Sequence, residues 1–517
     1  MHRSSTDAVH GIRFSASVFV NAHLRWGTRE FACTAQFSAI DCISLSSLHT
    51  LVSTMVDHTL SGRWKSASLC VALCGLVTGC TTYQEKPLSQ VSIALSKNDL
   101  ARFEIDPRNM PLPELAAHRF DPSDGLDIED VAMLAVANNP DLKLARDDLG
   151  IAQAQAFAAG LLPDPQLSVS SDFPGAVGLE RAFNYGLSMD VMAIVSRGAN
   201  KRSAIATARK TDLGLLWQEW QVVAQAKQLY TKTRYEDAVL PLLKQARELD
   251  LTRYARIEHA RQAGNMTDDA VSVALTTYGD ARKQYDDMVR AREQTHHDLN
   301  LLLGLAPDVD LKLVGSSRTE ALSRAALDAA LAALPKRRPD LIALQAGYEA
   351  QEQKYRAAIL NQFPSLTVGF DRARDTSGIY TTGFQIALSL PIFNRNRGNV
   401  AIEQATRQRL GDEYQARLNA AYADIAHLRN DSRIAAAQLA QDEAALPALV
   451  QAAGRARNAF AAHDITLGQY TDAQLAALTR QLDAQTQRDA LAEQRIGLQA
   501  LLGSAIPDAF STDSTQR

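Results

Sequence analysis

His296 and His297 are the chain's only adjacent histidines. On a helix, neighbours point about 100° apart, so the pair is a poor chelate and reads as part of a solvated face. His463-Asp464 falls in a turn-like stretch, where it could meet a partner protein or stand exposed. All five cysteines (Cys33, Cys42, Cys70, Cys74 and Cys80) lie within the first 80 residues. The rest of the chain therefore offers neither a disulfide framework nor a thiolate metal site. Glycine-rich phosphate loops, nucleophile elbows and metalloprotease motifs are missing. Carboxylates are plentiful, but along helix-favouring sequence most are solvated. No enzyme chemistry, resident metal or cofactor is expected. A net charge of −4 gives no basic field for nucleic acid.

Cys80 is different. Arg63-Trp64-Lys65 precedes an apolar run from Ala67 to Val77. At about eleven residues the run is too short to span a bilayer and fits a signal-peptide core. It ends in Val77-Thr78-Gly79-Cys80, which resembles the bacterial lipobox, whose cysteine sulfur receives diacylglycerol before cleavage. Palmitate completes such an anchor, and Thr81 in place of Asp implies sorting to the outer membrane. Met55 stands at a usual signal length of about 25 residues before Cys80. Residues 1–54 are therefore expected to be a non-native or disordered extension, 55–79 the signal peptide, and 80–125 an extended start of the mature chain. The alternative is an ordinary thiol after a plain signal peptide. Beyond Cys80 no run of 18 apolar residues occurs, so a helical span is not expected; barrel strands would leave only weak alternating signals.

The elements that would carry a function come in duplicate. Pro140-Asp141-Leu142 recurs as Pro339-Asp340-Leu341, and Pro165-x-Leu167-x-Val169 as Pro364-x-Leu366-x-Val368. Met266-Thr267 is echoed by Ile465-Thr466, Arg197-Gly198 by Arg397-Gly398, and Leu303-Gly304 by Leu502-Gly503. The matches are in order and about 200 residues apart, which defines two copies of one unit. The units are placed at 126–304 and 335–503, with 305–334 between them and a tail at 504–517.

Each unit predicts a helix (127–160, 335–361), two strands, a very long helix, a turn and another long helix. The strands are expected at Gln166–Asp172, Phe183–Val191, Ser365–Asp371 and Thr382–Leu390. In "FNYGLSMDV", Phe183, Tyr185, Leu187, Met189 and Val191 alternate with Asn184, Gly186, Ser188 and Asp190. One face is apolar and the other polar. Gln385 and Ser389 hold the polar face of the last strand. Four strands cannot close a membrane barrel, which needs about eight or more. Open edges cannot face lipid, so other copies of the chain must complete the sheet; three copies give twelve strands, and two give only the minimal eight. Phe363 and Phe393 at one end, with Phe370, Tyr380 and Phe183 toward the other, suit aromatic belts. The long stretches 198–262 and 398–462 would each reach near 100 Å at about 1.5 Å per residue. Leu213, Leu216, Trp220, Val223 and Tyr230 follow a coiled-coil seam that Lys227 interrupts; Tyr414, Leu418, Ala421, Ile425 and Leu428 do likewise.

The doubled order, with Pro339-Asp340-Leu341, Phe363-Pro364-Ser365-Leu366, "LSLPIFNRNRG" (388–398) and the Leu-Gly pairs closing each unit, resembles the outer-membrane efflux protein family, the TolC-like channels, over about 126–505. The resemblance implies a mainly α fold with a small membrane β part: a homotrimeric duct with a twelve-stranded β-barrel in outer-membrane lipid and a periplasmic α-barrel of long coiled helices. Residues 305–335 and both mature ends would wrap its middle. It implies work with a periplasmic adaptor and an inner-membrane pump, exporting metal ions or small toxic compounds. "PIFNRNRG" is more like heavy-metal-resistance members, whereas the first unit reads "VMAIVSRG". By the same resemblance the hairpin tips converge on a constriction. Asp472 matches an acidic pore position, Gln469 stands where another acid is frequent, and Asp268 and Asp269 are their counterparts in the first unit. Asn184, Ser188, Asp190, Gln385 and Ser389 would line the lumen. The competing readings are a passive trimeric channel and a structural envelope lipoprotein; neither accounts for both the polar-faced strands and the long hairpins.

Overall fold

The computed structural model describes residues 83–175, 177–315 and 324–503, with the backbone of 17–26 and 29–38. The signal segment 55–79, Cys80 and the tail 504–517 lie outside the described residues. Residues 1–92 form a unit of their own. Within it, in the region read from sequence as an extension, β1 (Ser17–Trp26) pairs antiparallel with β2 (Arg29–Ser38).

The second unit, 93–517, carries the duplicated plan. Short helices α1 (Lys97–Leu100) and α2 (Pro113–Ala117) precede α3 (Ile128–Asn138) and α4 (Pro140–Ala158). Then come β3 (Gln166–Asp172), β4 (Ala182–Asp190), α5 (Val191–Gln262) and α6 (Asp268–Leu302). The second copy is α7 (Arg324–Arg337), α8 (Pro339–Leu360), β5 (Leu366–Arg374), β6 (Tyr380–Leu388), α9 (Arg397–Ala461) and α10 (Leu467–Leu502). The fold is thus mainly helical with one small antiparallel sheet, ordered β3-β4-β5-β6.

The repeated motifs are helix punctuation. Pro140 and Pro339 open α4 and α8 at a position where the missing N–H costs nothing. Leu142 and Leu341, two residues on, are almost wholly buried. Gly304 and Gly503 lie just beyond α6 and α10 with φ of +64° and +61°. That left-handed stop suits glycine. A Cβ would also lie 2.6 Å from the Asn138 carbonyl oxygen or 2.4 Å from the Trp220 ring. At the tips, Thr267 and Thr466 cap α6 and α10 through their hydroxyls. Gly264 takes φ +76° in the first turn, and His463 takes φ +65° at the matching place in the second. His463 is thereby a turn residue in a strained left-handed position.

Several boundaries differ from the sequence reading, and the helix expected over 335–361 is divided at Arg338, its first residues ending α7 and the rest forming α8. The helix expected over 127–160 is two, because Asn139 stands in extended ψ before Pro140 and its side chain caps α4 at Leu142 N. β5 runs on to Arg374, and β6 begins at Tyr380 and ends at Leu388. The first long helix starts at Val191, directly from β4, because Asp190 accepts hydrogen bonds from Met192 N and Ala193 N. "VMAIVSRG" is therefore helix. In the second unit "PIFNRNRG" makes an irregular link, with Arg395 and Asn396 left-handed.

Helices α5 and α9 contain 72 and 65 residues and run through Pro241 and Pro447. Their seams are buried where the spacing placed them: Leu213, Trp220, Val223 and Tyr230 in α5, Ala421 and Ile425 in α9. Lys227, which breaks the first seam, is buried too. Its ammonium donates to Glu114 of α2 at 2.8 Å. The segment before α3 thus folds over α5. It is stitched to the segment after α6 by Leu95 N to Gly304 O, Ala306 N to Leu95 O, Leu126 N to Lys312 O and Val314 N to Leu126 O. Leu126, Leu134, Tyr230, Leu299 and Val309 form one core there.

Candidate functional site

The register of the sheet sorts its side chains. Cross-strand partners share a face. Asn184 stands opposite Ser170 and Ala373, Ser188 opposite Gln166 and Gly369, and Gly369 opposite Gln385. One face therefore holds Gln166, Ser168, Ser170, Asn184, Gly186, Ser188, Thr367, Gly369, Asp371, Gly383 and Gln385. The other holds Leu167, Val169, Tyr185, Leu187, Val368, Phe370, Phe384, Ile386 and Leu388. Most of these apolar side chains are exposed, with Leu167 at 72% and Phe384 at 67%. On the polar face the glycines make room for their neighbours: a Cβ at Gly186 would lie 2.5 Å from Ser168 Oγ, and one at Gly383 2.8 Å from Asp371 Oδ1.

Of the residues singled out from sequence, Asn184, Ser188 and Gln385 share that polar face. Asp190 is at its edge, and its carboxylate is taken up in capping α5. Ser389 lies one residue past β6 and pairs with Ser365, donating N–H to Ser365 O at 3.0 Å. Phe370 sits in mid-sheet between Leu187 and Phe384, rather than toward the loop end. Asp371 and the serines of β3 went unremarked in the sequence. Carrying the Thr367-Gly369-Asp371 alternation through to a face would have found Asp371.

The tips lie at the far ends of α5 and α9 from the sheet. Asp472 accepts from Arg253 Nη1 at 2.6 Å, which fastens α10 to α5. Gln469 belongs to a capping box: its Oε1 accepts from Thr466 N at 2.9 Å while its N–H donates to Thr466 Oγ1. Asp268 is nearly fully exposed and faces Arg261 at 3.6 Å; Asp269 is exposed beside it in the first turn of α6. No hydrogen bond joins the two pairs among the described residues. Arg253 was not foreseen, because nothing local in sequence links it to a residue 219 positions away.

Between the sheet and the tips, three carboxylates gather where α5 meets α10. Glu236 is 1% exposed; one oxygen accepts from Thr295 Oγ1 at 2.9 Å and the other has no partner. Asp489 also has a buried oxygen without a partner. Burial, then the charges of Glu493 and Glu236, push the Asp489 carboxyl up to about 7, against the pull of Lys232. Burial raises Glu236 and Glu493 as well. An acid raised in the folded state binds its proton more tightly there than in the unfolded chain. Its stabilising share is complete below the ordinary carboxylate range and is lost as pH rises through about 7. Thermal melting of the detergent-solubilised protein should therefore fall between pH 5 and pH 8, and Asp489→Asn should flatten that fall; an unchanged slope would place the titration elsewhere.

His118, Asp127 and Asp130 form the one group of three potential metal donors among the described residues, with ligand atoms within 4.8 Å of one another. Their oxygens are already engaged: Asp130 N donates to Asp127 Oδ1, and Asp127 N and Asp121 N donate to Asp130. His118 Nε2 lies 3.1 Å from Asp130 Oδ1. The group ties the end of α2 to the start of α3.

Residues 330–504 match the family model described as outer membrane efflux protein. Outer membrane protein OprJ of Pseudomonas aeruginosa is 27% identical over 248 residues, 46% of this chain and half of that protein's length. Among solved structures, the CmeC outer membrane channel of Campylobacter jejuni has a TM-score of 0.61 at 16% identity, covering 83% of this chain and 95% of that one. The open state of the MtrE outer membrane channel of Neisseria gonorrhoeae has a TM-score of 0.58 at 19% identity, covering 82% and 98%. CusC, in structures concerned with folding and transmembrane channel formation, has a TM-score of 0.59 at 19% identity, covering 80% and 99%. At these identities the likeness is one of fold.

Proposed function

We propose that the protein is the outer-membrane exit duct of a tripartite efflux system, working with a periplasmic adaptor and an inner-membrane pump; the match of residues 330–504 to the outer membrane efflux protein family supports this reading. The observation that carries this reading is the sheet. It has one apolar and one polar face, two open edges at β3 and β6, and a 72-residue helix leaving it without a break. An edge in lipid leaves amides unpaired at several kcal/mol each, so the sheet must close on other copies. Three copies supply twelve strands, above the minimum of about eight. The apolar face then meets lipid, and Asn184, Ser188, Gln385 and Asp371 line water. At about 1.5 Å per residue, α5 extends roughly 100 Å beyond the membrane, a reach that a passive channel does not need. The cargo is metal ions or small toxic compounds; "PIFNRNRG" favours the former.

Cys80 carries the acyl anchor in this reading. Cys80→Ala should abolish incorporation of labelled palmitate, and labelling that persisted would remove the lipoprotein assignment. The constriction is assigned to the tips, with Asp472 its principal acid and Asp268 and Asp269 secondary. Carboxylates gathered around an axis select cations. The experiment is single-channel recording in planar bilayers. The parent protein should conduct with cation preference, and Asp472→Ala should lower that preference and weaken block by a trivalent cation. Conduction without either change would move the constriction elsewhere; a protein that forms no channel would refute the duct.

A further inference from the structure

The charges of the sheet are segregated. Asp172, Asp190 and Asp371 have the parity of the polar face, whereas Arg372 and Arg374 have that of the apolar face. Arg372 stands opposite Tyr185 and Thr382, and Arg374 opposite Phe183 and Tyr380, at the end of the sheet where the loops 173–181 and 375–379 lie. Arg181 joins them: its Nε donates to Ser171 Oγ at 2.7 Å, and its guanidinium lies 4.5 Å from the Phe173 ring centroid. The Arg374 guanidinium lies 5.4 Å from the Tyr380 centroid. Glu180 pairs with Arg374; Asp375, in the loop, accepts instead from Ser377 N and Ile379 N, and Asp172 and Asp371 belong to the opposite face. Arg372 is exposed and has no ion-pair partner among the described residues. All four helices adjoining the sheet leave from its other end.

Arginine on a lipid-facing strand is costly at the midplane and nearly free at the interface, where its head reaches polar groups. On the apolar face three arginines stand against one ion-paired carboxylate, so positive charge is in excess on that face, set among aromatic rings that fix its depth. Guanidinium forks match phosphate oxygens in pairs. We propose that Arg181, Arg372 and Arg374, set among Phe173, Tyr185 and Tyr380, bind the phosphates of lipid headgroups in the leaflet on the loop side of the membrane. This rests on the reading of the sheet as a membrane wall. In a threefold assembly the rim occurs once per chain, so bound lipid seals the outer surface of each hairpin pair.

The test uses the full-length protein in phosphatidylcholine nanodiscs containing diphosphoryl lipid A, with retained lipid counted by native mass spectrometry. Each exposed arginine near a charged surface is worth about fivefold, so Arg181→Gln with Arg372→Gln should weaken retention about 25-fold. Replacement of both by lysine should keep most of it. Retention within twofold of the parent in the glutamine variant overturns the proposal. Displacement of the lipid by millimolar inorganic phosphate also overturns it, since the site would then take the free ion. The same nanodiscs report insertion. A chain that does not insert refutes the membrane wall and the rim together, whereas an inserted chain with unchanged retention refutes the rim alone.

Discussion

Phe370→Arg is expected to abolish membrane assembly, while Gln385→Arg is expected to leave it intact. The two positions are close in the sheet but of opposite parity, Phe370 opposite Leu187 and Phe384, Gln385 opposite Gly369. At the bilayer midplane an arginine on the lipid face costs about 2–4 kcal/mol, and symmetry would repeat that cost in every chain of the assembly. At Gln385 the new charge would stand in water, where it costs little and instead lowers cation preference. The check is the amount of heat-resistant oligomer recovered from outer membranes, with the ion selectivity of whatever is recovered. Equal recovery of both variants would mean that the sheet has no lipid face.

Arg338→Ala is expected to have the second large effect, through stability. Arg338 and Asp340 are buried together, with side chains 4% and 10% exposed. Nε and Nη2 of the arginine donate to the two carboxylate oxygens at 2.8 and 3.1 Å. The guanidinium also lies 4.7 Å from the Trp217 ring centroid, which joins the start of α8 to α5 and so one repeat to the other. Removing the arginine leaves a buried carboxylate without its counter-charge, a loss of about 3–5 kcal/mol. Replacing both partners by Met and Leu removes the charge as well as the pairing, so it should cost much less. Thermal dissociation of the purified oligomer distinguishes them: the single variant melts far below the double. The reverse order would make the pair a minor contact.

Periodicity made the sheet legible. Period-two alternation in "FNYGLSMDV" gave the faces of β4, and the seam spacing of α5 and α9 gave the helices. Joining the two hairpins into one sheet through β4 and β5 was not legible, because register between strands far apart in sequence is set by tertiary contacts. Strand ends were misjudged where polar residues run on: Arg372, Ala373 and Arg374 look like loop and are strand. The helix break at Asn139 is local, set by Asn139-Pro140 and the Asn139 cap; what was not legible is that the asparagines are also held from afar, Asn138 and Asn139 Nδ2 donating to the carbonyls of Leu303 and Leu302. At the tip, the tie of Asp472 to Arg253 was not legible, because nothing local links positions so far apart. The Asp489 and Glu236 cluster gave no signal, since buried and solvated carboxylates look alike on a helix whose polar residues are spread all round.

The central claim is that this four-stranded sheet is one part of a barrel completed by other copies of the same chain. Its most direct measurement is the chain count of the full-length protein extracted from outer membranes, by native mass spectrometry with cross-linking in detergent as a second reading. The account predicts three chains and a cross-linked ladder that stops at three. A folded, membrane-extracted monomer would contradict it, because β3 and β6 would then present unpaired edges to lipid.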